Sequence, residues 1–178
     1  LCFVTLSPAQ CPSCASDAGT SGCTITLTDT VTNPTYALNS SSDKLCIATG
    51  AVIQGTWDIT ITDPDAVIVN NGKINVSNGI TIGDGTFVNN HEIFLGGDLT
   101  VNDGQMVNYG ITNLDGTLSL PSSSAEFCNE DSMAVGTDVS LAGDFLNNGV
   151  LSVNNEFNQS SGNICVTGIG KVYAYDFE

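Results

Sequence analysis

The sequence has almost no positive charge. Its 178 residues include no arginine and only three lysines, Lys44, Lys73 and Lys171, against 19 acidic residues, which gives a formal net charge of −16. Such a chain cannot neutralise phosphate groups, because each contact would require a lysine or an arginine. The same sign of charge repels anionic membrane surfaces. Nucleic acid and anionic lipid surfaces are therefore excluded as partners.

The sequence also lacks long apolar runs, helical periodicity and catalytic groupings. No stretch approaches the ~18 apolar residues that a membrane-spanning helix requires, so we predict no membrane insertion. No segment of about ten residues has the 3.6-residue hydrophobic period of a helix. His91 is the single histidine, and no second histidine or convergent polar set accompanies it. We therefore predict that the protein is not an enzyme and has no catalytic residue.

What the sequence does contain is a repeat with a period of about 19 residues, just below the usual range for solenoid repeats. When the chain is written in columns of that period, apolar, asparagine and aspartate positions separate. Three of these columns are Ile61, Ile80, Leu99 and Leu118; Asn70, Asn89 and Asn108; and Asp65, Asp84 and Asp103. A fixed period of this kind is typical of solenoid proteins, in which each repeat forms one turn stacked on its neighbours.

Short segments within each repeat predict β-strands. Stretches such as "ITI", "LTV" and "LSV" alternate apolar and polar residues, which is the period of a strand. Asn-Gly, Asp-Gly and Gly-Gly pairs separate these stretches and favour tight turns. We therefore predict an all-β fold, a short parallel β-helix of about seven coils over residues 47–178. Residues 1–46 do not follow the period, and we assign them to a cysteine-rich N-terminal cap or assembly segment.

Seven cysteines favour disulfides and an oxidising compartment. We expect the first four to form two disulfides within the N-terminal cap, although their spacing does not fix the pairing. Three cysteines remain outside this group, so at least one cysteine is either free or paired with another chain. The seven disulfide candidates are Cys2, Cys11, Cys14, Cys23, Cys46, Cys128 and Cys165.

The two polar columns lead to different expectations. Stacked Asn70, Asn89 and Asn108 can hydrogen-bond amide to amide along the solenoid, as asparagine ladders do in stacked β-structures. Asp65, Asp84 and Asp103 would lie about 5 Å apart on successive coils, where like charges repel unless solvent or a cation screens them. We expect a solvated turn column and no cofactor, with a Ca²⁺ site at these three aspartates as the alternative.

Both ends of the sequence contain strand-like apolar segments. We predict that they pair between subunits, either by strand insertion or by end-to-end stacking; the alternative is that they fold back and cap their own solenoid. Residues 1–9 are either the remnant of a signal peptide or an assembly strand. The N-terminal candidates are Leu1, Phe3, Val4 and Leu6, and the C-terminal candidates are Val172, Tyr173, Tyr175 and Phe177.

Several repeat segments resemble a known class of surface proteins. The segments "LCIATGAVIQGTWDITI", "VIVNNGKINV", "GDFLNNGVLSV" and "GNICVTG" are similar to β-solenoid repeat regions of secreted and cell-surface, adhesin-like proteins of Bacteroidota. The resemblance covers roughly positions 44–172 and does not include the cysteine-rich segment from Leu1 to Cys23. It implies an extracellular or cell-surface location, with no cofactor and no catalytic residues.

Possible glycosylation sites are compatible with that location. Asn39, Asn75 and Asn158 begin formal N-glycosylation sequons. Thr30 and Ser132 follow aspartate and precede an apolar residue, which resembles the O-glycosylation pattern of Bacteroidota.

These observations lead to three hypotheses for function. The first is an extracellular structural protein that polymerises with itself as the subunit of a surface filament. The second is an adhesin or glycan-binding module that uses one flat face of the solenoid. The third is a carbohydrate-active β-helix enzyme.

Overall fold

The computed structural model describes residues 21–167 and 170–177, and all of its regular elements in these ranges are short β-strands. They follow one another around the chain three to a turn. The first four turns contain β1 (Ile25–Leu27), β2 (Thr30–Thr32), β3 (Thr35–Leu38), β4 (Lys44–Ile47), β5 (Val52–Gly55), β6 (Asp58–Ile61), β7 (Val67–Asn70), β8 (Lys73–Val76), β9 (Ile80–Ile82), β10 (Thr86–Asn89), β11 (Glu92–Leu95) and β12 (Leu99–Val101). The next four contain β13 (Gln105–Asn108), β14 (Ile111–Leu114), β15 (Leu118–Leu120), β16 (Glu126–Asn129), β17 (Ser132–Val135), β18 (Val139–Leu141), β19 (Asp144–Asn147), β20 (Val150–Val153), β21 (Glu156–Gln159), β22 (Ile164–Val166), β23 (Lys171–Tyr173) and β24 (Asp176–Phe177).

Every third strand joins the same parallel sheet. The first sheet has the order β1-β4-β7-β10-β13-β16-β19-β22, and the second has the order β2-β5-β8-β11-β14-β17-β20-β23. The third sheet has the order β9-β12-β15-β18-β21-β24, and β3 pairs with β6. The chain is therefore a three-sided parallel β-helix, which confirms the predicted fold class.

The solenoid begins earlier than the sequence pattern indicated. Ile25 pairs with Leu45, and Leu45 pairs with Ile68, so each of the first two turns is longer than the regular repeat. The next turn has the regular spacing, since Asn89 pairs with Asn70 at a separation of 19 residues. Residues 25–46 therefore contribute solenoid strands and do not form a cap, and the described residues form eight turns where about seven were expected. The longer connections in the first turns hid them from a search at one fixed period.

Apolar columns fill the interior of the β-helix. Alternate residues of each strand point inward, so the inward columns are apolar, with buried Thr112 as a polar exception in the second sheet. Ile68, Phe87, Phe127 and Phe145 are fully buried members of one column, and the rings of Phe127 and Phe145 stack with centroids 5.6 Å apart. Burying one such side chain contributes on the order of 1.5–3 kcal/mol. The core is therefore continuous along the axis.

An asparagine ladder runs along the corner after the first sheet. The Nδ2 of Asn70 donates to Oδ1 of Asn89 at 2.8 Å, and Asn89 donates in the same way to Asn108 at 2.7 Å. Asn129 and Asn147 extend the ladder by two rungs, with amide contacts of 2.8 and 2.7 Å. All five side chains are fully buried. The prediction included only the first three, because Asn129 follows Asn108 by 21 residues and leaves the regular period.

Candidate functional site at the solenoid ends and outer faces

On the last described turn, each strand lies at the end of its sheet. Strands β22, β23 and β24 are terminal in their sheets and have one described neighbouring strand each. Large apolar side chains are exposed on this turn: Val166 is 48% exposed, Tyr173 55%, Tyr175 88% and Phe177 52%. Val172, the fourth predicted C-terminal residue, is half-buried and packs against the core. Three of the four predicted residues therefore lie at the surface of this end.

Phe177 continues a core column into solvent. Its ring lies 5.6 Å from the ring of Phe157, and Phe157 in turn contacts Phe145. Within the solenoid this column is closed, since Phe157 is buried, whereas Phe177 is half-exposed. The apolar column is therefore exposed to solvent at Phe177.

At the opposite end, the strands of the first turn have no further neighbouring strand among the described residues. Strands β1 and β2 are terminal in their sheets, and β3 is bonded to β6. Ile25, Val31 and Tyr36 are partly buried and pack against the core from this side. The predicted N-terminal assembly residues Leu1, Phe3, Val4 and Leu6 lie outside the described residues.

The outer side of the second sheet contains an aromatic residue among amides. Phe94 is half-buried and lies in a shallow groove with Asn75, Asn113 and Asp115. The Nζ of Lys73 lies 4.7 Å from the centre of the Phe94 ring, and it also lies 3.2 Å from a carboxylate oxygen of Glu92. This arrangement combines a flat apolar surface with hydrogen-bonding groups of both kinds.

The outer side of the first sheet differs from the other two outer sides because it is apolar and buried. One outward position on each strand of the first sheet, from β4 to β22, forms what we call the outer row. Its members are Cys46, Val69, Val88, Val107, Cys128, Leu146 and Cys165, and each is at most 6% exposed. Val107, Cys128, Leu146 and Cys165 form an apolar cluster separate from the main core, with Tyr109 against it.

The disulfides differ from the expected pattern. Cys23 pairs with Cys46, with Cα atoms 5.9 Å apart, so the expectation that the first four cysteines pair only with one another is wrong. Cys128 and Cys165 are also disulfide-bonded, which means that none of Cys46, Cys128 and Cys165 is free. Cys2, Cys11 and Cys14 lie outside the described residues.

The aspartate column does not form a metal-binding cluster. Asp65 and Asp103 are exposed and Asp84 is half-buried, and the described parts of the chain contain no group of three His, Cys, Asp or Glu side chains able to hold a metal ion. Asp103 accepts hydrogen bonds from Ser124 Oγ at 2.6 Å and Ser122 Oγ at 2.7 Å. These bonds stabilise the carboxylate and lower the pKa of Asp103 from its ordinary value.

The predicted glycosylation residues differ in accessibility. Asn39, Asn75 and Thr30 are exposed, whereas Asn158 and Ser132 are half-buried. The Nδ2 of Asn158 also donates to Oε1 of Glu156 at 3.1 Å.

Comparisons with protein-family models, with curated proteins and with solved structures found no match for this chain. No helix in the described ranges has the length and apolar character needed to cross a lipid bilayer.

Proposed function

We propose that the protein is an extracellular structural protein, the subunit of a surface filament that grows by end-to-end stacking of β-helices. The observation that carries the proposal is the pair of solenoid ends, where most terminal strands have one neighbouring strand each among the described residues. The last described turn exposes Tyr173, Tyr175 and Phe177, and the first turn offers the free sides of β1 and β2. Because the two ends are different surfaces, contact between them is heterologous and gives an open polymer when it does not close into a ring.

Continuation of the existing sheets would supply the contact. In each sheet the strands are parallel and in register from turn to turn. A second copy placed on the last turn would add its β1 to β22 and its β2 to β23, by the same backbone hydrogen bonds that join the turns. This contact would also cover the exposed ring of Phe177.

One pair of opposite charges would meet in this arrangement. Lys171 begins β23, and Thr30 begins β2, so in-register stacking places Lys171 of one copy beside Asp29 and Thr30 of the next. Asp29 and Lys171 are both exposed within one copy. An attraction at this point matters because each chain otherwise carries a net charge of −16, and the bodies of the two copies repel each other.

Substitutions at the open end test the proposal. We expect the double variant Tyr173→Asp and Phe177→Asp to remain monomeric by light scattering and negative-stain microscopy, under conditions in which the unaltered chain forms filaments. Ile111→Asp is the matched control, because Ile111 is an exposed apolar residue (41%) on the side of the solenoid. This control should polymerise normally. Filaments from the double variant would refute end-to-end stacking.

Glycan binding at the Phe94 groove is a second candidate. Aromatic faces flanked by amide and carboxylate groups suit the apolar face and the hydroxyls of a sugar ring. We expect Phe94→Ala to abolish any signal on a glycan array, whereas Val150→Ala, a change of another apolar residue on the same sheet surface, should leave it unchanged. An array without signal for the unaltered protein would exclude this candidate.

A further inference from the structure

The outer row is covered, although it points away from the core. The equivalent outward positions on the other sheets are mostly polar and at least partly exposed, as at Asn75 and Ser152 of the second sheet and Thr81 and Ser140 of the third. In the outer row, Val69, Val88 and Val107 are fully buried. Three adjacent valines without solvent contact on an outer surface require a covering layer of protein.

The disulfides indicate which part of the protein covers the outer row. Cys128 lies on β16 and Cys165 lies on β22, with Leu146 of β19 between them. Two strand spacings separate their Cα atoms by about 10 Å, whereas a disulfide requires less than about 7 Å. The two cysteines therefore do not pair with each other. Cys23 and Cys46 are already joined, so of the seven cysteines only Cys2, Cys11 and Cys14 remain as partners.

The length of the N-terminal segment fits the outer row. Cys23 is fixed at Cys46, which is itself the first buried member of the row. From β4 to β16 the row rises by four strand spacings, about 20 Å, and the nine residue steps from Cys23 back to Cys14 can span up to about 30 Å. The three steps from Cys14 to Cys11 span about 10 Å when extended, which matches the distance between Cys128 and Cys165.

We propose that the outer row is the docking track for residues 1–20 of the same chain, fixed there by disulfides from Cys14 to Cys128 and from Cys11 to Cys165. The segment runs along the solenoid axis, crosses the strands from β4 to β22, and ties the early turns to the last one. Cys2 is left outside the three intramolecular disulfides. This inference concerns a single molecule and does not depend on filament assembly.

Disulfide mapping of the oxidised, full-length chain tests the proposal. The protein is alkylated without reduction, digested with a glutamyl endopeptidase and chymotrypsin, and analysed by mass spectrometry. We expect Cys128 and Cys165 each to be cross-linked to a peptide from residues 1–20, with one alkylated cysteine, Cys2. A direct link from Cys128 to Cys165, or alkylation of either residue, would overturn the proposal.

Isotope mixing tests whether the segment belongs to the same chain. Labelled (¹⁵N) and unlabelled protein are mixed while reduced and unfolded, refolded with oxidation, and mapped in the same way. Cross-linked peptides should carry a single isotope throughout. Mixed-isotope links would show that a second copy supplies the segment and would contradict the same-chain track.

Single cysteine variants test the register. Cys14→Ser should make Cys128 newly alkylatable and leave Cys165 linked, and Cys11→Ser should have the opposite effect. Cys2→Ser is the matched control and should free neither residue. If Cys11→Ser freed Cys128, or Cys2→Ser freed Cys165, the assigned pairing would be wrong.

Discussion

At the scale of single residues, the asparagines of the ladder are the most constrained polar groups. Each amide is fully buried and joins two turns, and its Nδ2 also donates to a backbone carbonyl on the next turn, as Asn108 does to Ser132 at 3.1 Å. A buried amide without partners costs more than the hydrogen bonds contribute when they are made. The ladder therefore fixes the turn-to-turn register as well as adding stability.

Replacing the middle asparagine should be costly. Asn108→Ala removes the acceptor for Nδ2 of Asn89 and for the hydroxyl of Thr112, and it removes the donor to Oδ1 of Asn129, so three buried side-chain hydrogen bonds are lost together. We expect the free energy of unfolding to fall by about 2–4 kcal/mol. Urea denaturation measures the change. Asn75→Ala, at an exposed position on the second sheet, should cost less than about 0.5 kcal/mol, and equal losses in the two variants would contradict the role of the ladder.

Asp103 should titrate with a pKa below the ordinary value for an aspartate. Hydrogen bonds from Ser124 and Ser122 lower its pKa in the folded state, so its contribution to stability is present above the ordinary pKa and is lost as the pH falls through the folded pKa. Carboxyl-detected NMR titration should find the pKa of Asp103 below the ordinary value for an aspartate. The double variant Ser122→Ala and Ser124→Ala should raise the pKa of Asp103 to its ordinary range, and an unchanged pKa would contradict the assignment.

At the scale of strands, the first sheet differs from the others in its sequence as well as its surroundings. Its strands place apolar residues side by side, as in Phe87-Val88 and Phe127-Cys128, and both members are buried. Adjacent apolar residues indicate a strand covered on both faces, whereas strict alternation indicates one solvated face. The adjacent apolar pairs therefore indicated the outer row in the sequence. The repeat columns alone did not distinguish the residues of this row from those of the core.

A charge in the outer row should destabilise the molecule. Val88→Asp would place a carboxylate at a fully buried position, and we expect a loss of about 3 kcal/mol or more, from the desolvation of the charge. Thermal unfolding provides the measurement. Thr81→Asp adds the same charge at an exposed outer position on the third sheet and should be nearly neutral. A tolerated Val88→Asp would mean that the row is open to solvent in solution.

The repeat pattern predicted the central turns but not the first turns or the disulfide pairing, and the reasons are physical. The central turns were predictable because their connections have constant length, which keeps each column in phase from Val67 to Asn108. Ile25 to Leu38 form three strands of the first turn, but both this turn and the next are longer than the regular repeat, which shifts the phase of the columns and masks them. The disulfide between Cys23 and Cys46 was not predictable, because cysteine spacing gives the candidates and not the pairing.

At the scale of the whole molecule, the solenoid is a rigid rod with two different ends. Its eight turns should measure about 40 Å along the axis at one strand spacing per turn. Disulfides that join distant parts of the chain restrict the unfolded state and stabilise the folded one.

Reversing one charge should abolish assembly, and reversing both charges should restore it. Lys171→Glu would place a carboxylate beside Asp29 of the next copy in the proposed stack, and we expect polymer formation to be lost. The double variant Asp29→Lys and Lys171→Glu should restore it, because the attraction is rebuilt with reversed signs. Sedimentation of polymer from each variant provides the measurement. If the double variant stayed as defective as the single one, Lys171 and Asp29 would not meet across the interface.

The axial repeat of the assembled protein tests the central claim most directly. Electron cryo-microscopy of filaments grown from the purified chain should give a subunit rise of about 40 Å, with layer lines near ~4.8 Å from strands that stack without interruption across subunits. A chain that remains monomeric under all assembly conditions, or filaments whose subunit rise is much shorter because the solenoids lie side by side, would contradict end-to-end stacking.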